Sequence, residues 1–518
     1  MKKNITFLFV VIILLSIIAK ISGLIRETVT GYYFGAGEEL DIFYFVYSIP
    51  ELFMTGIVAA LSIAIIPALS QKEPIFCLDN RRFIFNLVII GSIFFALICL
   101  LAILFNRSIM EFILRNTSGK FSYSFVFNVY LISMIQLIPT FLLGVFQSIV
   151  TKQEKYKTVT LISIPFNALI ILSIMIYSDQ LGVQSIGLGM LGAVLVQVFI
   201  LWLLLRKDGL NLESYKVDIK FDSTMINFMY LLLPVYFGTI IQRVGIFVDR
   251  TIASTLQTGS ISALSYADRL IQMVIMIVIN TIGMIMFSKI SSAKDNPSHS
   301  SEIMNKSIIF SFASILPITC YLLVYGRDII NILFNRGEFD EQALNLTTLA
   351  LCGYSIGLIG VCIRYLLNRV YFVNNNVKTP TINTIVFCIV NIVLSIVLAR
   401  LFGLLGIALA YSITMILASA ALVVDVHRRY KMMSGIRWGN CVKVTLLSMV
   451  LLGFWMVLNM LLPNGLSSLF KIVISGISGA FLFTIMLLIV KVEGLNVMQF
   501  ILQVQRKFVR NHVRKEVM

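Results

Sequence analysis

Three basic side chains lie within otherwise apolar stretches of this 518-residue sequence: Lys20, Arg26 and Arg269. A charge at membrane depth costs about 2.5–3.5 kcal/mol on insertion scales, so such residues normally face a protein interior or a water-filled cavity. The planar guanidinium group of arginine can bond two phosphate oxygens at once, and cations between low-dielectric walls attract anions strongly. These residue types therefore predict that the three side chains converge on an anionic ligand.

Acidic side chains occur in the same apolar stretches as the cations. Asp268 and Arg269 are adjacent, so on a helix their side chains point about 100° apart and are poor partners for each other. Each then needs another partner, which is either a ligand or a residue of a neighbouring helix. The alternative to a ligand site is an ion pair between helices that only stabilises the bundle. The acidic residues of interest are Glu27, Asp41, Asp249 and Asp268.

The second apolar stretch is interrupted by Pro50 and Glu51. A helix broken beside a polar cavity is a recurrent way to build a transporter site. We therefore expect a broken helix here, next to a polar cavity inside a membrane bundle.

The elements that must position these residues are predicted to be membrane-spanning helices. The chain is 58% hydrophobic and 13% charged, a composition that excludes a soluble protein of this length. We count roughly 14 apolar spans of about 20 residues, the length that crosses a hydrocarbon core of about 30 Å. Their continuous apolar character indicates helices and not a β-barrel, whose strands would alternate. The predicted spans are 5–25, 40–70, 84–105, 125–150, 158–177, 183–205, 225–247, 262–288, 307–325, 343–372, 380–399, 404–425, 441–462 and 468–490.

The net charge of +16 is distributed unevenly along the chain. In a soluble protein it would indicate nucleic-acid binding. Here most of the excess lies in alternate loops between the spans, as the positive-inside rule requires. The pattern predicts a multi-pass protein with both termini in the cytoplasm and no nucleic-acid partner.

Catalytic and metal-binding patterns are not found in the sequence. It has no Walker motif and no recognisable arrangement of nucleophile, base and orienting group. The seven cysteines and three histidines are scattered without the spacing of metal ligands or disulfides. We expect a protein that is not an enzyme and holds no metal and no cofactor.

A weak internal repeat divides the chain into two halves. Aligning Gly23 with Gly245 places Glu27 opposite Asp249 without a gap, and each copy begins a run of six spans. An even number of spans per copy gives parallel repeats related by an axis along the membrane normal. We predict an all-α polytopic fold of two six-helix lobes and two further helices. The predicted domains are 1–206 (first lobe), 207–430 (charged loop and second lobe), 431–490 (last two helices) and 491–518 (a basic tail, either an amphipathic helix on the inner leaflet or disordered).

Several segments together resemble the lipid II flippase family called MurJ or MviN, of the multidrug/oligosaccharidyl-lipid/polysaccharide exporter superfamily. They are KISGLIRE, YYFGAGEELDIFYFVYSIPELF, SYADRL, ILFNRGEF, the NRVYF…VKTP stretch and GLLGIALA. The resemblance implies translocation of a polyprenyl-pyrophosphate-linked sugar across the bacterial cytoplasmic membrane, from the inner to the outer leaflet, to feed cell-wall synthesis. It also implies a central cationic cavity between the lobes, and a groove for the lipid tail formed by the last two helices.

The resemblance also implies roles for individual residues. The family's cavity arginine near the end of its first helix matches Arg26, and its other basic position on that helix holds Lys20. Its acidic residue after the arginine matches Glu27, its aspartate at the start of the second helix matches Asp41, and its eighth-helix arginine matches Arg269. The implied substrate-binding residues are therefore the three cations.

The chain departs from the family pattern just after Pro50. Well-known members carry a basic pair where this chain has Met54 and Thr55. The departure leaves the headgroup open between lipid II and another undecaprenyl-linked glycan. Two further alternatives are a cation-coupled multidrug exporter and a non-transporting membrane scaffold for cell-wall enzymes.

The mechanism expected from this resemblance is alternating access. Glu27, Asp41 or Asp249 could bind a monovalent cation or proton that resets the carrier, or could hold the arginines in place, as could Asp268. The membrane potential is a third energy source. We expect a monomer that contacts membrane lipids, with cell-wall synthesis proteins as candidate partners.

Overall fold

The computed structural model describes residues 2–69, 76–116, 122–210, 223–292, 297–374, 376–430, 437–463 and 465–492. In these ranges the secondary structure is helical, without a β-strand, as the apolar spans predict. One π-helical turn, Ile275–Ile279, joins two of the helices. The predicted basic tail lies outside the described residues from position 493 onward. The helices are α1 (Lys2–Phe34), α2 (Glu38–Ala68), α3 (Leu78–Leu104), α4 (Asn106–Asn116), α5 (Tyr123–Ile135), α6 (Leu137–Lys152), α7 (Tyr156–Leu161), α8 (Ser163–Leu181), α9 (Gln184–Lys207), α10 (Ser223–Ala253), α11 (Ser260–Val274), α12 (Asn280–Ser292), α13 (Pro297–Phe334), α14 (Glu341–Ile356), α15 (Leu358–Val373), α16 (Lys378–Phe402), α17 (Leu404–Tyr430), α18 (Trp438–Leu461) and α19 (Ser468–Val490).

Each predicted span corresponds to one helix or to one run of consecutive helices. In the described part of the chain, twelve stretches are long and apolar enough to cross a membrane. The pair α14–α15, bent by 43°, makes a thirteenth if it counts as one span. Helix α1 is not among these stretches, although its 33 residues give a length of about 50 Å. The predicted count of fourteen is therefore not confirmed.

The predicted helix break at Pro50 is wrong, because α2 continues through Pro50 and ends at Ala68. Proline removes one backbone N–H donor and its ring crowds the preceding turn, but a helix of a membrane protein can continue through a proline where neighbouring helices pack against it. Residues on both sides of Pro50 are buried, among them Leu40 and Val46 before it and Ile57 and Ile65 after it. Packing on both sides thus outweighs the lost hydrogen bond.

The first compact unit runs to Ser265 and includes Phe334–Ala343. Helix α2 lies at its centre and packs against α6 and α10. A Cβ atom on Gly56 would clash with Thr239 Oγ1, so the absence of a side chain lets α10 approach α2 closely. Further along, Phe45 stacks on Phe247 with ring centroids 6.1 Å apart. The sequence numbers of the paired residues run in opposite directions, so α2 and α10 are antiparallel.

The second compact unit comprises Tyr266–Leu333 and the chain from Leu344 onward. Its aromatic core includes the buried Trp455 of α18, whose Nε1–H donates to the Ser475 carbonyl of α19 at 2.9 Å. The Tyr321 hydroxyl of α13 donates to the Ile472 carbonyl of α19 at 2.8 Å. These bonds fix α19 against α13 and α18 within the unit. The groove for a lipid tail expected here stays a prediction.

The internal repeat places Gly37 opposite Gly259, and each of these glycines directly precedes a helix, α2 and α11 respectively. The helices before these breaks, α1 and α10, end at Phe34 and Ala253. The alignment thus joins equivalent helix boundaries. The predicted domain limits at 206, 430 and 490 stay a prediction.

Candidate functional site

The predicted site residues Arg26 and Glu27 lie near the C-terminal end of α1 and form an ion pair between Arg26 Nη2 and Glu27 Oε1. The two side chains are only 12% and 6% exposed. The second carboxylate oxygen, Glu27 Oε2, accepts a hydrogen bond from the Tyr44 hydroxyl of α2 at 3.4 Å. Glu27 therefore holds the guanidinium group and also joins α1 to α2. Lys20 is exposed on α1, about 9 Å before Arg26 along the helix axis.

A second ion-pair cluster joins α2 to α10. Glu51 Oε1 accepts from Arg243 Nη1 at 3.3 Å, and Glu51 Oε2 accepts from Arg250 Nη1 at 2.9 Å. The two arginines are seven residues apart, two turns of α10, so they share one face of the helix. Arg243 and Arg250 are charged residues of the span predicted at 225–247 and just after it, and the sequence did not pair them with Glu51. The spacing of the arginines was the signal that could have linked them to one partner.

Tyr44 connects the two clusters. Its backbone carbonyl accepts from Arg250 Nη1 at 3.1 Å, while its hydroxyl bonds to Glu27. The Arg250 guanidinium also lies 6.0 Å from the Tyr44 ring centroid, within cation–π range. A continuous polar network thus runs from Arg26 to Arg243 inside the first unit. In its ion pairs three arginines share two glutamates, and Asp249 lies next to Arg250 on α10.

Asp41 is buried in the first turn of α2 and caps the N-terminus of α11. Its Oδ2 accepts from the Gly259 backbone N–H at 2.7 Å. Its Oδ1 accepts from the backbone N–H and the hydroxyl of Ser262 at 2.7 and 2.6 Å. Backbone N–H groups at a helix start lack partners within the helix, and a carboxylate there also interacts favourably with the helix dipole. The predicted site residue therefore joins two helices of the first unit.

The remaining predicted site residues lie on α10 and α11. Asp249 is half-buried in α10 next to Arg250. Asp268 is half-buried on α11, where its Oδ1 accepts from Gln272 Nε2 one turn later at 3.2 Å. Arg269 is exposed on α11 and belongs to the second unit. The structure thus joins Arg26 with Glu27, and the convergence of Arg26 with Lys20 and Arg269 stays a prediction.

The two positions that depart from the family pattern lie on α2 just after Glu51, which pairs with Arg243 and Arg250. Met54 is buried, with its sulfur 3.9 Å from the Tyr47 hydroxyl. Thr55 is exposed, and its hydroxyl donates to the Glu51 carbonyl at 3.1 Å. Neither side chain supplies a charge, so the cations near this part of α2 come from α10.

The arrangement suits the binding of an anion. Within the ranges that the structure describes, no group of three or more histidine, cysteine, aspartate or glutamate side chains is placed to hold a metal ion. A polar network in which three arginines share two glutamates can hold an anion, because the planar guanidinium group matches phosphate and carboxylate oxygens.

Comparison with known proteins places these features in a family. The family model described as lipid II flippase MurJ matches residues 30–476. A probable lipid II flippase MurJ from Aquifex aeolicus strain VF5 is 25% identical over 447 residues, covering 83% of this chain and 85% of that protein. A probable lipid II flippase MurJ from Vibrio cholerae serotype O1 is 24% identical over 444 residues, covering 81% and 82%.

Solved structures share the fold. One titled lipid II flippase MurJ, inward closed conformation, superposes with a TM-score of 0.79 at 22% identity, covering 92% of this chain and 99% of that one. An inward-facing multidrug resistance MATE family transporter of the MOP superfamily gives a TM-score of 0.67 at 14% identity, covering 80% and 95%. The family model covers most of the sequence, and the chain is a multi-pass membrane protein that belongs to the lipid II flippase MurJ family.

Proposed function

We propose that this protein moves lipid II, an undecaprenyl-pyrophosphate-linked peptidoglycan precursor, from the inner to the outer leaflet of the bacterial cytoplasmic membrane. The observation that carries the proposal is the polar network of α1, α2 and α10, in which three arginines pair with two glutamates and of which α2 and α10 are long and apolar enough to cross a membrane. Membership of the flippase family supports it. Charges at membrane depth are costly, so a network with excess positive charge is best explained by an anionic substrate.

The proposed mechanism is alternating access. Lys20, Arg26 and Arg269 bind the pyrophosphate and its sugars while the lipid tail stays in the membrane. Glu27 keeps the Arg26 guanidinium in a fixed orientation through their ion pair, so that the remaining N–H donors of the fork are directed at the ligand. The cap between Asp41 and α11 keeps the ends of α2 and α11 together in the first unit. Opening at that end requires this cap to break.

The energy source and the orientation in the membrane are part of the proposal. A monovalent cation, a proton or the membrane potential resets the carrier, and Glu27, Asp41, Asp249 or Asp268 provides the coupling carboxylate if an ion is used. Both termini lie in the cytoplasm, as the loop charges predict. The protein acts as a monomer, as a transporter without catalytic activity, and meets the cell-wall synthesis proteins that supply and consume its substrate.

The test is rescue of a bacterium depleted of its own lipid II flippase. Wild type should restore lipid II on the outer leaflet, and Arg26→Ala should abolish it while the protein stays folded and membrane-inserted. Arg107→Ala is the matched control, because Arg107 lies on α4 with its side chain 88% exposed in a surface ion pair. Normal transport by Arg26→Ala would contradict the role of Arg26.

A second candidate substrate is another undecaprenyl-linked glycan, and the uncharged Met54 and Thr55 favour it. Failure of the wild type to rescue, despite well-inserted protein, would support this candidate over lipid II. Dye or drug resistance on expression would instead indicate a multidrug exporter.

A further inference from the structure

The cluster of Glu51, Arg243 and Arg250 holds two guanidinium groups against a single carboxylate. Each carboxylate oxygen takes one arginine, at 3.3 Å for Arg243 and 2.9 Å for Arg250. The side chains of Glu51, Arg243 and Arg250 are 19%, 30% and 13% exposed. The two arginines therefore carry one more charge than the carboxylate they share, and the three side chains are partly exposed.

Most of the hydrogen-bonding capacity of these arginines is available. A guanidinium group has five N–H donors. Among the described contacts, Arg243 donates to Glu51, and Arg250 donates to Glu51 and to the Tyr44 carbonyl, in each case through Nη1. An ion pair that only stabilised the helices would need one arginine for one glutamate. The second arginine and the N–H donors that Glu51 and the Tyr44 carbonyl leave unused are the features of a site that receives an anion.

The packing of the first unit fixes the position of both arginines. Thr239 lies against Gly56 where α10 packs on α2, and Arg243 follows one turn later on the same face. The Tyr236 hydroxyl adds a bond to the Phe53 carbonyl of α2 at 3.0 Å. The arginines are thus held on a close-packed helix pair, so little ordering is needed when a ligand binds.

We propose that Arg243 and Arg250 form a subsite for phosphate or carboxylate groups of the transported headgroup, and that Glu51 is the competing anion that the ligand displaces. The inference rests on the proposed function, since it adds a subsite to the same transport path. In the absence of ligand, Glu51 neutralises part of the charge and keeps the arginines in place. When the headgroup binds, its oxygens take over the guanidinium donors. The α2 side of the path supplies no cation at Met54 and Thr55, so α10 supplies them.

The test measures binding of lipid II to the purified full chain in neutral detergent by native mass spectrometry. Arg243→Gln and Arg250→Gln should each weaken binding by about tenfold or more, because each removes charged hydrogen bonds to the ligand. Glu51→Gln should tighten binding by about threefold to tenfold, because it removes the competing charge. Arg107→Gln, on an exposed surface helix, should leave binding unchanged.

Phosphate groups can also come from membrane phospholipids, so phosphatidylglycerol is titrated as a competitor in the same measurement. Little competition supports the substrate as the source of the anion. Strong competition that is lost in Arg243→Gln would assign the subsite to a phospholipid headgroup and overturn the inference.

The sign of the Glu51→Gln effect separates a ligand subsite from a structural ion pair. Weaker or unchanged binding by a folded Glu51→Gln protein would overturn the inference, because a supporting carboxylate could not be a competitor. If wild type binds lipid II and both arginine variants bind it equally well, the inference is overturned but the proposed function is not. Absence of lipid II binding by wild type would overturn the proposed function itself. Arg243→Lys keeps the charge but loses the guanidinium fork, so its binding should lie between those of wild type and Arg243→Gln, and such intermediate binding guards against loss of fold in the glutamine variant.

Discussion

Replacing Asp41 by asparagine should loosen the N-terminus of α11 without unfolding the protein. In the native structure the two carboxylate oxygens accept three hydrogen bonds, from the Gly259 N–H and from the N–H and hydroxyl of Ser262. Asparagine has nearly the same shape, so packing of the first turn of α2 is retained. The change therefore isolates the effect of the charge and of one acceptor oxygen.

The expected magnitude follows from the three bonds. The asparagine oxygen can replace Oδ1 and keep both bonds to Ser262, but these change from charged bonds of about 1.5–3 kcal/mol to neutral bonds of about 0.5–1.5 kcal/mol each. The amide NH₂ then faces the Gly259 N–H, and a buried donor without an acceptor costs about 1–3 kcal/mol. With partial relaxation we expect a loss of about 2–4 kcal/mol, or about 30- to 700-fold in the equilibrium for opening this contact.

The assay is amide hydrogen exchange of the purified protein, read by mass spectrometry on the peptide that contains Gly259 and Ser262. Asp41→Asn should exchange these amides at least about 30-fold faster than wild type. Glu39→Gln is the matched control, because Glu39 is an exposed acidic residue in the same turn of α2. Ser262→Ala removes only the hydroxyl bond and should have a smaller effect. Unchanged exchange in Asp41→Asn, or an equal increase in Glu39→Gln, would refute the capping argument.

Two further predictions concern close helix packing in each unit. Gly56→Ala should lower the free energy of unfolding by about 1–3 kcal/mol, since its Cβ would clash with the Thr239 side chain of α10. Gly238→Ala is the control and should not lower it, because nothing lies within 4 Å of its Cβ. Thermal unfolding in detergent compares the two variants. Gly479→Ala should destabilise the protein by a similar amount, about 1–3 kcal/mol, because its Cβ would clash with the Trp455 indole. A melting temperature equal to that of Gly476→Ala would contradict this packing argument.

The helices could be predicted from the sequence because hydrocarbon thickness fixes their length and hydrophobicity marks them. The spans 40–70 and 468–490 correspond to α2 and α19 almost to the residue. The prediction failed at Pro50, where a local signal for a break was outweighed by packing on both sides of the helix. Local propensity does not reveal how much neighbouring helices stabilise a turn that lacks one hydrogen bond.

The site residues were easier to find than their partners. Arg26 and Glu27 are adjacent, and the helical angle that makes Asp268 and Arg269 poor partners would also have argued against their ion pair. The long arginine side chain nevertheless reaches the neighbouring carboxylate. The pairing of Glu51 with arginines about two hundred positions later depends on the antiparallel contact of α2 and α10, which sequence patterns do not encode. Residue types thus indicated the chemistry, while the network required the structure.

Helix α2 carries both the Asp41 cap and the Glu51 cluster, and their energies are comparable. A ligand can shift a conformational equilibrium only by its difference in affinity between the two states. The part of the Asp41 cap that Asp41→Asn removes is expected to be worth about 2–4 kcal/mol, and arginine–phosphate hydrogen bonds contribute about 1.5–3 kcal/mol each before desolvation. One or two additional bonds to the headgroup in the open state would therefore offset that part of the cap. Because the Glu51 carboxylate already accepts from Arg243 and Arg250, the energy of the new hydrogen bonds is available only to an anion that binds these arginines more strongly than Glu51 does. A neutral or cationic molecule would therefore leave the cap closed.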